Sequence, residues 1–144
     1  MYDIWKKQTI NELEIYNARK AAEENILDQL RELEAAMVSI RSPGAESVST
    51  RSGGSKDARY LNNIVSRDLL KENLKATRKA IRRMEKAMAV LTGEEREILE
   101  FFFVKPEKEA AFTLADRLNI DRKTVYARRE DALKKLTIAM YGNV

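Results

Sequence analysis

Two segments of about 35 residues each, one from about 4 to 40 and one from about 57 to 91, contain neither Gly nor Pro. In the first, Ile26, Leu30, Leu33, Met37 and Ile40 step alternately by four and three. In the second, Leu74, Ile81, Met84, Met88 and Leu91 keep that rhythm, with Thr77 in the missing slot. Such stepping is the seam of a helix packed along another helix. Trp5, Leu13, Ile15 and Tyr16 continue the first apolar face less regularly, and Leu61, Ile64, Val65 and Leu70 extend the second. Each helix would run roughly 50 Å at 1.5 Å per residue. Neither buries a stripe alone, whereas an antiparallel hairpin buries both. An intermolecular coiled coil would use the same seam.

Residues 41–56, RSPGAESVSTRSGGSK, separate the two segments. They hold one of the two Pro, three of the five Gly and five Ser, the composition of a flexible loop. The expected division is therefore a helical hairpin over 1–91, with its loop at 41–56, and a small domain over 92–144.

That small domain reads as three short elements. Thr92 is placed to cap a helix, with Glu95 at the capping-box position. Ile98, Leu99, Phe102 and Phe103 form its apolar face, and the run Phe101-Phe102-Phe103 is expected to fill a small core, a partner-binding patch being the alternative. Pro106 suits the first turn of a second helix, whose face is Ala111, Leu114, Ala115 and Leu118. Asn119 can take the left-handed conformation that ends it, and Asp121 caps the last helix. Val125, Ala132, Leu133 and Leu136 make the buried stripe of that last helix. The tail TIAMYGNV continues it and docks Ile138 or Met140. The fold class expected is all-α.

With that stripe facing inward, the 3.6-residue period turns Arg122, Lys123, Tyr126 and Ala127 outward, with Glu130 beyond. Two helices about a tight turn, the second opening on cations, is the arrangement of a DNA-reading helix-turn-helix. Arg122 and Lys123 suit guanine O6 and N7 or phosphate, and Thr124 and Tyr126 can donate to phosphate. Ala127 allows close approach or contact with a thymine methyl. Arg128, Lys134 and Lys135 would add salt-sensitive attraction to phosphates.

Charge and composition narrow the alternatives. The net charge is +4, unevenly spread. Residues 1–40 carry 5 basic and 8 acidic residues (net −3), 61–91 carry 8 and 3 (net +5), and 121–144 carry 6 and 3 (net +3). An anionic partner is the expected consequence. The absence of Cys and His excludes thiolate and imidazole metal sites and Ser-His or Cys-His catalysis. Glu94, Glu95, Glu97 and Glu100 are the only carboxylate cluster worth weighing as a metal site, and they suit a helix N-terminus and a solvated face better. No enzyme activity and no cofactor is expected. No apolar run approaches the roughly 20 residues of a membrane span, and MYDIWKKQTI has no signal-peptide core, so a cytoplasmic protein is expected.

The segments LTGEEREILEFFF and LADRLNIDRKTVYARREDALKKL resemble the region 4 helix-turn-helix of sigma-70-type factors. Together with the terminal LTIAMYG, and with SIRSPGAESVSTRSGGSKDARYLNNI between two long helices, they are also similar to phage late-transcription regulators of the RinA and ArpU kind. The resemblance implies a phage or prophage transcription factor at late-gene promoters in a bacterial host. Its partners would be double-stranded promoter DNA and RNA polymerase. The role of the hairpin stays open between homodimerisation, contact with the polymerase and an extension of the DNA footprint through Arg78, Lys79, Arg82, Arg83 and Lys86. The resemblance places the base contacts at Arg122, Lys123 and Ala127. This chain departs from the sigma pattern in the apolar Ala127, in Arg128 at a slot usually apolar, and in the longer spacer VKPEKEAA. A ring-forming DNA-packaging adaptor of the small-terminase kind and a pure helical interaction module are the other classes compatible with these elements.

Overall fold

The structure is a computed structural model and describes the backbone of residues 1–41 and 53–144 and the side chains of 1–39 and 57–144. Every regular element among the described residues is helical, so the chain is all-α. Helix α1 spans Tyr2–Arg41, α2 Gly53–Met88, α3 Gly93–Leu99, α4 Ala110–Leu118 and α5 Arg122–Tyr141, and a π-helical turn, Glu100–Val104, extends α3. None of the described helices is long and apolar enough to cross a membrane.

Helix α2 starts inside the segment expected to be loop. Gly53 to Lys56 belong to α2, which starts four residues before Asp57. Glycine costs about 1 kcal/mol in a helix but does not forbid one. The remainder of the expected loop, residues 42–52, lies outside the described residues, as does the Ile40 side chain.

The contacts divide the chain into two compact units, Met1–Lys20 with Ala80–Val144 and Ala21–Lys79. Both long helices contribute to each unit. In the Ala21–Lys79 unit, Ile26 and Leu30 of α1 bury against Leu74 of α2, flanked by Ala22, Leu27 and Leu70. Arg78 donates to Glu23 at 3.3 Å. Glu23 thus meets Arg78 while Ile26 and Leu30 meet Leu74, so positions fall along α2 as they rise along α1, the pairing of antiparallel neighbours. Met37 is buried as the seam requires and Leu33 is half-buried. Leu61 and Val65 do not extend the packed face: they are 60% and 57% exposed. Val65 is nine residues from Leu74, about half a turn round the helix, so the two cannot share a face.

The other unit has two cores. In the first, Leu13 of α1 and Met84, Ala87 and Leu91 from the end of α2 and just beyond bury with Leu99 of α3 and Ala132, Leu133 and Leu136 of α5. In the second, Ile98, Ala111, Leu114 and Val125 bury together. Consecutive residues of α3, Ile98 and Leu99, thereby serve different cores. The three phenylalanines are also shared out: Phe101 and Phe102 pack on the second core and Phe103 on the first.

A buried polar contact ties α1 to α5. The Thr137 hydroxyl lies 3.0 Å from the Thr9 hydroxyl and 2.6 Å from the Leu133 carbonyl, and the Thr9 hydroxyl donates to the Trp5 carbonyl at 2.9 Å. Both threonines are fully buried, and these bonds satisfy groups that would otherwise be costly to bury. Trp5 and Tyr141 sit with ring centroids 4.7 Å apart, and Met140 packs on the first core. Ile138 stays 42% exposed, so of the two expected docking residues the packed one is Met140.

The capping box at α3 is present as read from the sequence. The Glu95 N–H donates to the Thr92 hydroxyl at 3.2 Å, and the Thr92 N–H donates to the Glu95 carboxylate at 3.0 Å. Lys135 of α5 closes on the same carboxylate at 2.9 Å. Hydrogen bonding from Lys135 first, then from the Thr92 backbone, holds the Glu95 carboxyl below its ordinary value. Glu130 is lowered chiefly by Lys6, 2.5 Å away. A carboxyl whose folded-state pKa is depressed contributes stability above its unfolded value, lost as pH falls through the folded one. The urea midpoint is therefore expected to drop as pH falls from about 6 to below about 4. Glu95→Gln with Glu130→Gln should flatten that slope, and an unchanged slope would show that these two pairs do not carry it.

Candidate nucleic-acid interface

The second helix of the motif is positioned by what precedes it. Its partner α4 does not start near Pro106, as the sequence suggested, but at Ala110. The Glu107 N–H is taken by the Phe101 carbonyl at 2.9 Å, and Glu109 has φ 59°, in the left-handed region, so a right-handed helix cannot run through it. Asn119, φ 57°, ends α4 as expected. The Ile120 N–H bonds the Ala115 carbonyl at 3.0 Å and the Asn119 N–H the Asp116 carbonyl at 3.4 Å, the pair of bonds of a Schellman closure. Ile120 packs on the second core beside Ala115, which fixes the direction of the exit.

Asp121 then caps α5, its carboxylate accepting from the Thr124 N–H at 2.8 Å. Hydrogen bonding from Thr124 holds the Asp121 carboxyl below its ordinary value. Val125, Ala132, Leu133 and Leu136 are buried, as the stripe required, and Thr137 joins them. Arg122, Lys123 and Ala127 are exposed, Tyr126 is 45% exposed and Thr124 is half-buried.

Ion pairing sorts the six cations of α5. Arg128 bonds Glu94 of α3, Arg129 bonds Glu130 at 3.0 Å, and Lys135 bonds Glu95. Arg122, Lys123 and Lys134 have no acidic partner among the described residues. The unpaired charge thus lies at the first turn of α5, with one further lysine along the helix. Glu130, placed beyond the outward face by the period alone, is half-buried and shared between Lys6 and Arg129. Three carboxylates of the Glu94–Glu100 run are ion-paired, since Glu97 meets Arg117 at 2.9 Å.

Two residues of this surface were not foreseen. Phe112 of α4 is 61% exposed, and the Arg122 guanidinium lies 5.7 Å from its ring centroid. Its signal in the sequence is negative: position 112 falls outside the face of Ala111, Leu114, Ala115 and Leu118. Arg129 sits over both Phe102, at 4.8 Å, and Tyr126, at 5.0 Å, while the two rings are 5.9 Å apart. That stack fixes the Tyr126 ring and leaves almost half of the residue accessible. The geometry can offer an anion two unpaired cations and a phenolic hydroxyl on one capped helical end.

Comparison with protein-family models, curated proteins and solved structures finds no significant match to this chain.

Proposed function

We propose that the chain is a sequence-specific DNA-binding transcription regulator, a phage or prophage late-gene activator that works with RNA polymerase. The observation that carries the reading is the first turn of α5, capped by Asp121, exposed, and bearing Arg122 and Lys123 with no acidic partner among the described residues. A helix end of this kind enters the major groove, where Arg and Lys bond guanine O6 and N7. Tyr126 and Thr124 donate to flanking phosphates, Ala127 meets a thymine methyl, and Lys134 adds attraction to the backbone. Arg128 serves differently in this reading. Held by Glu94, it ties α5 to α3 and presents little free charge to DNA.

Fluorescence anisotropy with duplexes tiled across the DNA flanking the gene tests the proposal. One or a few duplexes are expected to bind about a thousandfold more tightly than scrambled sequence at physiological salt. Equal affinity for every duplex, or none for any, would sink the reading.

A further inference from the structure

Helix α2 carries a second apolar row on the side away from Leu74. Leu61, Val65 and Leu69 step by four along it and are 60%, 57% and 62% exposed. No described residue buries this row. It reads the same in both directions, Leu-Val-Leu about Val65. Asp57, eight residues before Val65, and Lys75, ten after, both fall about 80° to the same side of it at 100° per residue. Both are exposed and lack an ion-pair partner among the described residues.

We infer that this row is a homodimer interface in which α2 pairs antiparallel with α2 of a second copy about a two-fold axis at Val65. Such an axis sets Leu61 against the partner's Leu69 and Val65 against the partner's Val65. It also brings like edges of the two helices together, so Asp57 meets the partner's Lys75 and Lys75 the partner's Asp57. An interface with a two-fold axis has to be complementary to itself. The row meets that condition in its apolar order and in the Asp57–Lys75 pair. Exposed Glu72, about 20° off the row on that same edge, also falls beside the partner's Asp57, so Lys75 is the cation that offsets both carboxylates there. This match identifies the occupant as a second copy of this chain. The interface stands on α2 alone. Only its use, presenting two reading helices to paired half-sites, rests on the DNA-binding function proposed above.

Sedimentation velocity on the full chain over about a hundredfold range of concentration tests it. A reversible monomer–dimer equilibrium is expected. Val65→Asp should weaken association at least about tenfold, because it sets two carboxylates face to face in an apolar seam. Lys75→Asp alone should weaken it roughly threefold to tenfold, and adding Asp57→Lys to that variant should restore it. Circular dichroism verifies that each variant keeps its helix content. A monomer at every concentration overturns the inference, as would segment 42–52 covering the row. A ring of many subunits, or a dimer indifferent to both Val65→Asp and the charge exchange, also overturns it. A dimer that forms normally but binds no DNA leaves the interface standing and removes the proposed function instead.

Discussion

Replacing Arg122 and Lys123 together by alanine is expected to weaken binding to the preferred duplex by about 4 kcal/mol, roughly a thousandfold. Each is exposed at the first turn of α5 and pairs with no carboxylate among the described residues. A base-edge contact from such a side chain contributes about 1–3 kcal/mol of discrimination. The cost to folding should be small. Among the described residues Arg122 lies with its guanidinium 5.7 Å from the Phe112 ring, and an exposed pair of that kind contributes about 0.5–1 kcal/mol. Affinity and stability should therefore separate cleanly. The slope of log affinity against log salt should also fall by about 2 if both cations lie on phosphates, and by less if they read bases. Anisotropy titrations at several salt concentrations, with a urea melt of the same protein, measure both. Parent-like affinity in the double variant would show that α5 does not meet DNA through its first turn.

Leu133→Ala is expected to lower the unfolding free energy by about 3 to 4 kcal/mol. Leu133 is 1% exposed in a core built from α1, α2, α3 and α5. Groups held by four helices cannot all move in to fill the vacated volume, so the cavity term adds to the lost burial. Against a total stability of about 5–15 kcal/mol this is a large share. Ile138→Ala, on the same helix but 42% exposed, should cost less than about 1 kcal/mol. Urea midpoints of the two variants give the comparison. Equal midpoints would mean that Leu133 is not where the helices meet.

The features of α5 that carry the proposed function were legible because they are local. The Asp121 cap, the left-handed Asn119 and the stripe Val125, Ala132, Leu133 and Leu136 depend on residues within a turn or two of one another. The same holds for the Thr92–Glu95 box. What the sequence hid depends on distant partners. Thr9 and Thr137 look like surface residues until each supplies the other's hydrogen-bond partner across 128 positions. Arg128 looks like a phosphate contact until Glu94 takes it up. Leu61 and Val65 look like members of the packed seam until Leu74 fixes which side of α2 faces α1.

The helix content, the Thr92 and Asp121 caps, the Asn119 end of α4 and the phase of the α5 stripe follow from hydrogen bonds and side-chain spacing within a few turns, so the amino-acid order decided them. The ends of α1 and α2 share a core with α3 and α5 for a different reason. Leu13, Leu91, Leu99 and Leu133 can leave water only by packing on one another, and no window of the sequence contains all four. The same non-local choice left Arg122 and Lys123 without a carboxylate partner among the described residues while Arg128, Arg129 and Lys135 were neutralised. The cationic helix was written in the sequence, but the tertiary structure selected which of its charges stay free for a partner.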